Sequence, residues 1–180
     1  MPLTTIPLPF GLRDVKIIPL TGETPGTGID LPNARTFSFS EAEDFEELRG
    51  DDGVAAVHGL GAAVDWELEG GGISLEAVKA MYGGEIAESG VAPAQVKTYS
   101  KKVTDQRPYF KVEGQAISDS GGDFHVVLYR CRCTGELSGE LADGSFWLTG
   151  ASGRAIGRTS DKLIYDFVQN ETETAIDAGP

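Results

Sequence analysis

From Gly61 to Gly72 the sequence reads GAAVDWELEGGG, in which Val64, Trp66 and Leu68 alternate with Asp65, Glu67 and Glu69. A period of two sends successive side chains to opposite faces of an extended strand, so one face is apolar and the other acidic. The apolar face must be covered by other elements, which predicts a layered β fold. Glycines 70 to 72 end the strand. Ser74 then caps a short helix over 75–82, in which Leu75, Val78, Met81 and Tyr82 share one face and which Gly83 and Gly84 stop.

Alternation recurs in PYFKVEGQAIS, with Phe110, Val112 and Ala116 inward, and in DFHVVLYRCRC over 123–133. It recurs again in SGELADGSFWLTG and in KLIYDFVQ, with Leu163, Tyr165 and Phe167 inward. Turn signals separate these runs at Asp119-Ser120-Gly121-Gly122, Ala142-Asp143-Gly144 and Arg158-Thr159-Ser160. The expected fold is mainly β, an antiparallel sandwich or barrel with one short flanking α-helix. At 180 residues and 40% hydrophobic content the chain is long enough for one domain with a sizeable core. Prolines 2, 7, 9, 19, 25 and 32 predict that residues 1–34 form an extended arm around one short strand, Asp14 to Pro19. Residues 35–168 are then the β core and 169–180 a C-terminal tail.

The segment SEAEDFEELRG, residues 40–50, meets two templates. Ser40 and Glu43 form a capping box, with Phe45 and Leu48 three apart and Gly50 as a stop, which suits a helix. Against this, TFSFS alternates at period two, and RGDDG followed by VAAVH reads as a hairpin tip with a return strand, the reading we prefer. The stretch holds seven acids, Glu41, Glu43, Asp44, Glu46, Glu47, Asp51 and Asp52, and one base, Arg49. A charge run of this kind is most simply a solvated face, and its spacing matches no EF-hand loop for Ca²⁺.

The chain carries 28 Asp+Glu against 15 Lys+Arg, a formal charge of −13. That balance argues against a surface that grips nucleic acid through its phosphates or docks on anionic membranes. Cys131 and Cys133 lie on one face of a strand and read as small core or interface residues, since two cysteines and two distant histidines do not make a zinc site. His58 and His125 sit in apolar runs and read as structural. The opening MPLTTIPLPFGLRDV lacks a basic region followed by an apolar stretch, which predicts a chain made and folded in the cytoplasm. No dinucleotide fingerprint, phosphate-binding loop or nucleophile elbow is present, no cofactor or metal site is expected, and the expected chain is not an enzyme.

The run ELRGDDGVAAVHGLGAAVDWELEGGGISLEAVKAMYGG, residues 47–84, resembles the major tail tube proteins of bacteriophages with long non-contractile tails. The likeness is carried by the acidic strand entering Leu48-Arg49-Gly50-Asp51-Asp52, by the Val64 to Leu68 strand, and by GGISLEA turning into a helix that ends at Gly83-Gly84. Residues 108–150 also look like that family's central strands and hairpins. The resemblance implies a virion protein whose hexameric rings stack into a tube through which DNA leaves the capsid. It implies as partners further copies of the chain and tape measure, tail terminator and tail-tip proteins, with no membrane anchor and no specific DNA binding. It further implies that inner-sheet strands line the channel, where Asp65, Glu67 and Glu69 would repel passing phosphates, and that terminal arms and a long hairpin at 36–60 bridge rings. The competing expectation is an acidic β-sandwich module for carbohydrate or another ligand, using an exposed Trp66 or Trp147. A hydrolase working through two of the many carboxylates ranks third.

Overall fold

The computed structural model describes residues 6–31 and 33–176. The parts of the expected arms at 1–5, 32 and 177–180 lie outside the described residues. In chain order the elements are β1 (Pro9–Thr21), β2 (Thr24–Pro25), β3 (Ile29–Asp30), β4 (Ala34–Gly50), β5 (Gly53–Gly71), α1 (Leu75–Tyr82), β6 (Glu85–Ser89) and β7 (Val96–Ser100). They continue with β8 (Phe110–Ser118), β9 (Asp123–Cys133), β10 (Leu148–Ala155) and β11 (Tyr165–Asn170). The fold is mainly antiparallel β, as the alternation predicts, with a single helix among the described residues.

Among the described residues β6 and β7 form a hairpin of their own, and the other strands form one sheet in the order β2-β1-β8-β9-β10-β5-β4. β9 is the strand on which the sheet turns. One of its edges pairs with β8, and the other is shared, β11 taking Asp123 to Leu128 and β10 taking Cys131 to Cys133. The two half-sheets that diverge from β9 then meet again through side chains. The Phe37 ring of β4 lies on Gly114 of β8, where a Cβ would come within 2.5 Å of it. An aromatic row, Phe37, Phe39, Phe167 and Phe124, continues the closure with ring centroids 5.6–6.0 Å apart.

Between the half-sheets lies the core, built on Val15 and Ile17 of β1, Phe110 and Val112 of β8, Leu128 and Cys131 of β9 and the Val64-Trp66-Leu68 face of β5. Trp66 meets Phe110 edge to face at 5.6 Å, a favoured geometry for aromatic pairs. It also lies so close to Gly153 of β10 that a Cβ there would meet the indole at 2.7 Å and the Arg132 carbonyl at 2.1 Å. Helix α1 plugs one side of the core with Ala77, Val78, Met81 and Tyr82. Its ends follow the sequence reading: Ser74 Oγ accepts from the Ala77 N–H at 3.2 Å, and Gly83, at φ 79°, donates its N–H to Lys79 O at 2.9 Å.

The segment 40–50 is strand, the reading preferred over a helix, within a β4 that runs from Ala34 to Gly50. Other expectations are corrected. The short strand expected over Asp14 to Pro19 is longer, because β1 spans 13 residues and buries Val15 and Ile17 completely. Proline content misled there: Pro9 opens the strand, and the Pro19 carbonyl still accepts from Gly26 N–H at 2.8 Å. SGELADGSFWLTG forms no hairpin; 134–147 is irregular and strand begins only at Leu148. Phe167 is 51% exposed and not inward, while Ala116 is half-buried. The C-terminal segment is packed, with Ile176 only 3% exposed.

Leu68 and Leu60 belong to the same strand but are 1% and 62% exposed. Leu68→Ala is therefore expected to cost about 2–5 kcal/mol in the isolated chain, and Leu60→Ala to stay within about 0.5 kcal/mol. Urea unfolding followed by circular dichroism measures both, and equal losses would contradict the fold.

Candidate functional site

Past the Glu41–Val64 pair, β4 and β5 leave the core together as a two-stranded ribbon. Its register runs Glu43–Ala62, Phe45–Gly59, Glu46–His58, Glu47–Val57 and Leu48–Ala56 to the tip at Gly50–Gly53. At ~3.3 Å per residue this is a projection of about 30 Å. Shifts in register between Glu43 and Phe45 and between Leu48 and Arg49 mark bulges, which add twist. Phe45, Leu48, Val54, Val57 and Leu60 are each at least half exposed. The acids around them are exposed too, and Glu47 has an ion-pair partner on the ribbon in Arg49 at 3.0 Å.

All eight predicted ribbon residues, Glu41, Glu43, Asp44, Glu46, Glu47, Arg49, Asp51 and Asp52, are thus brought onto one projection. Glu41 sits at its root, where its carboxylate accepts from the Tyr165 hydroxyl at 2.6 Å. His58 is here too, exposed and not structural as its apolar neighbours suggested. A two-stranded ribbon with apolar side chains in water is marginally stable by itself, and it has the makings of a docking element.

At the root of the ribbon, β4, β5, β10 and β9 present one continuous outward face. Asp65, Glu67 and Glu69 all lie on it, as alternation predicts. Strand pairing sets Ser40, Asp65, Arg154 and Arg132 in one row across the sheet, and Ser38, Glu67 and Ser152 in the next. Arg154 donates from Nε and Nη2 to the two Asp65 oxygens at 2.9 and 3.3 Å, which holds that carboxyl below its ordinary pKa. Arg35 lies 3.7 Å from Glu69. The face read as acidic is therefore mixed in charge, with two of its three acids neutralised.

Sequence reasoning missed Arg154, Arg132 and Arg130 as members of this surface. A signal was present in YRCRC, where arginines alternate with the buried cysteines. Cys131 and Cys133 are free and buried, and burial pushes the Cys133 thiol up to about 12 and that of Cys131 up as well, so both stay protonated. Trp66 is 3% exposed and offers no open stacking face, while the half-buried Trp147 has Gly139 against its ring and borders two open clefts. A cleft of about 660 Å³ beside α1 is lined by Pro19, Ile29, Ala80, Ile86 and Pro108, with Lys97 at its edge tied to Glu76 and Glu88.

On the outward side of β8 and β9 lies a buried polar cluster that fastens the C-terminal segment. His125 faces Glu113 through Nδ1 at 2.9 Å and Asp123 through Nε2 at 3.1 Å, so each ring nitrogen meets a carboxylate and the surroundings favour the imidazolium form. Asp123, fully buried, also accepts from Gln115 at 2.6 Å, Asn170 at 2.8 Å and the Thr174 N–H at 2.8 Å. Burial opposes the charge of each group. For Asp123 the four hydrogen bonds outweigh it and bring the carboxyl down to about 2. For His125 the two carboxylates outweigh it and raise the imidazole above 6.5. The bonds to Asn170 and Thr174 make the cluster a clasp on the C-terminal segment. No membrane-spanning helix occurs among the described residues. No protein-family model matches the sequence, and no curated protein matches it.

The clasp sets a pH window. The lowered Asp123 contributes stability above 3.8 that is lost as pH falls toward 2, and the raised His125 contributes stability below 6.5 that is lost at higher pH. The melting temperature should therefore peak between those values, and His125→Gln should flatten the alkaline limb. Thermal melts across pH 2–9 (a range of about seven units) check this; an unchanged alkaline limb in the variant would remove His125 as its cause.

Proposed function

We propose that this chain is a structural subunit that self-assembles, with stacked hexameric rings forming a virion tail tube that conducts DNA into the host. The observation that carries the reading is the ribbon beyond Glu41: an ordered projection of about 30 Å, apolar and acidic, whose large apolar side chains no other described residue buries. Ordering such an element is uneconomical for a monomer and is offset when it is buried against another copy.

Two further features support the reading. The ribbon and the surfaces that could receive it are different parts of one chain, so a head-to-tail contact that propagates is open to it and a self-complementary patch is not required. The row of Asp65, Glu67 and Glu69 lies on a sheet face backed by the core, as a channel wall requires. Arg154 and Arg35 on that face are engaged by Asp65 and Glu69, Glu67 repels a passing phosphate at close range, and Arg132 and Arg130 on the same face are kept from it only once acids of a neighbouring copy engage them. In this role the wall neither binds nor drives the DNA.

The test is negative-stain microscopy of purified protein. Wild type should form rings or hollow tubes, while a variant with residues 44–60 replaced by Asn-Gly should keep its β spectrum and remain monomeric. Wild type that stays monomeric at every accessible concentration, or a ribbonless variant that still builds tubes, would overturn the reading.

A further inference from the structure

We infer that Arg130 and Arg132, stacked on Tyr109, form the surface that receives the acidic ribbon of a second copy of this chain. The inference rests on the assembly reading above and names the contact through which assembly occurs.

The charges of the chain are unevenly matched. Arg35, Arg49, Lys97, Arg154 and Arg158 each lie within 4.0 Å of a carboxylate. Arg130 and Arg132 have no such partner among the described residues. Their guanidinium carbons sit 4.5 and 4.9 Å from the Tyr109 ring centroid. Arg132 Nε donates to the Arg107 carbonyl at 2.9 Å, and Arg107 is in turn fixed by the Cys133 and Gly135 carbonyls at 3.1 and 2.6 Å. The stacking orients both forks while leaving their outer nitrogens unused, the preorganisation that favours carboxylate recognition. Arg130 Nε goes further, being buried with no hydrogen-bond partner among the described residues. A buried donor left unmet is costly.

The complement to this patch is the ribbon, with seven acids and one base in residues 41–52. Arg132 shares its row with Ser40 and Asp65 at the root of the ribbon, while the tip at Gly50–Gly53 lies about 30 Å away, so the ribbon's outer acids cannot reach the patch of their own chain. A neighbouring copy supplies them in equal number. Nucleic acid is the other polyanion, but a chain of net charge −13 with an acidic ribbon projecting from it repels that partner before contact. Phe45, Leu48 and Val57 provide apolar area on docking, and the arginines fix the register.

Reciprocal charge exchange tests the contact. Arg130→Glu/Arg132→Glu and, separately, Asp51→Lys/Asp52→Lys should each raise the critical concentration for assembly about tenfold or more in sedimentation, and mixing the two variants should restore assembly by pairing reversed ribbon with reversed patch. The milder Arg130→Gln/Arg132→Gln, with circular dichroism as a folding check, should shift assembly in the same direction. If wild type assembles and both patch variants assemble equally well, the patch is not the receptor although the assembly reading stands. If wild type never assembles, both fall. If a short DNA duplex binds wild type and not the glutamine variant, with assembly unaffected, the patch serves nucleic acid and this inference is overturned.

Discussion

Strand β9 has three partners, and the rest of the molecule follows from that. An antiparallel strand has two edges, so serving β8, β10 and β11 requires one edge to be divided along its length. β11 takes the half that begins at Asp123, and β10 takes the half that ends at Cys133. Dividing the edge forces the sheet to splay into two leaves, and the space between them is where Trp66, Phe110 and Leu128 find cover. It also fixes chemistry on the outside. The clasp of His125 and Asp123 falls on the β11 half of β9, and the arginine pair falls on the β10 half.

Whatever depends on local alternation was legible before the fold was known. The two faces of Val64 to Glu69, the helix from Leu75 to Tyr82 with its Ser74 and Gly83 caps, and the strand from Asp123 to Cys133 all appear at the residues their patterns indicate. What was not legible is pairing between distant segments. Asp65 and Arg154 are 89 residues apart, and no local rule brings them into one row; the acidic face could only be read as acidic until β10 was laid beside β5. Proline frequency failed for the related reason that a proline costs a strand a donor on one edge only, so Pro9 and Pro19 are compatible with a core strand.

The β4–β5 ladder shows how the same backbone geometry serves two environments. From Ala34 to Glu41 it is held by the core; beyond Glu43 it is held by its own ladder alone, with Phe45 and Val57 in water. Hydrophobic burial cannot account for the outer half, since nothing there is buried. The acids give that half solubility and keep ribbons of like charge from pairing edge to edge, a standing hazard of exposed strands. An apolar ribbon without them would aggregate; a wholly polar one would have little to gain from docking.

This balance also bears on how assembly is controlled. On the proposed reading, a ribbon that meets an arginine patch must trade hydrated carboxylates for charge-assisted hydrogen bonds, an exchange that is favourable only where the patch is already oriented. Tyr109 and the carbonyls of Cys133 and Gly135 provide that orientation in the single chain, whereas the ribbon reaches its partner with no such support. The entropic cost of docking then falls mainly on the ribbon, and it is met once per added subunit when several patches are already held in a ring. Two free chains gain one such contact while losing the translational freedom of a whole molecule. Addition to an existing end is thereby favoured over spontaneous nucleation, so the charge and exposure of one hairpin are enough to make growth directional without any catalytic step.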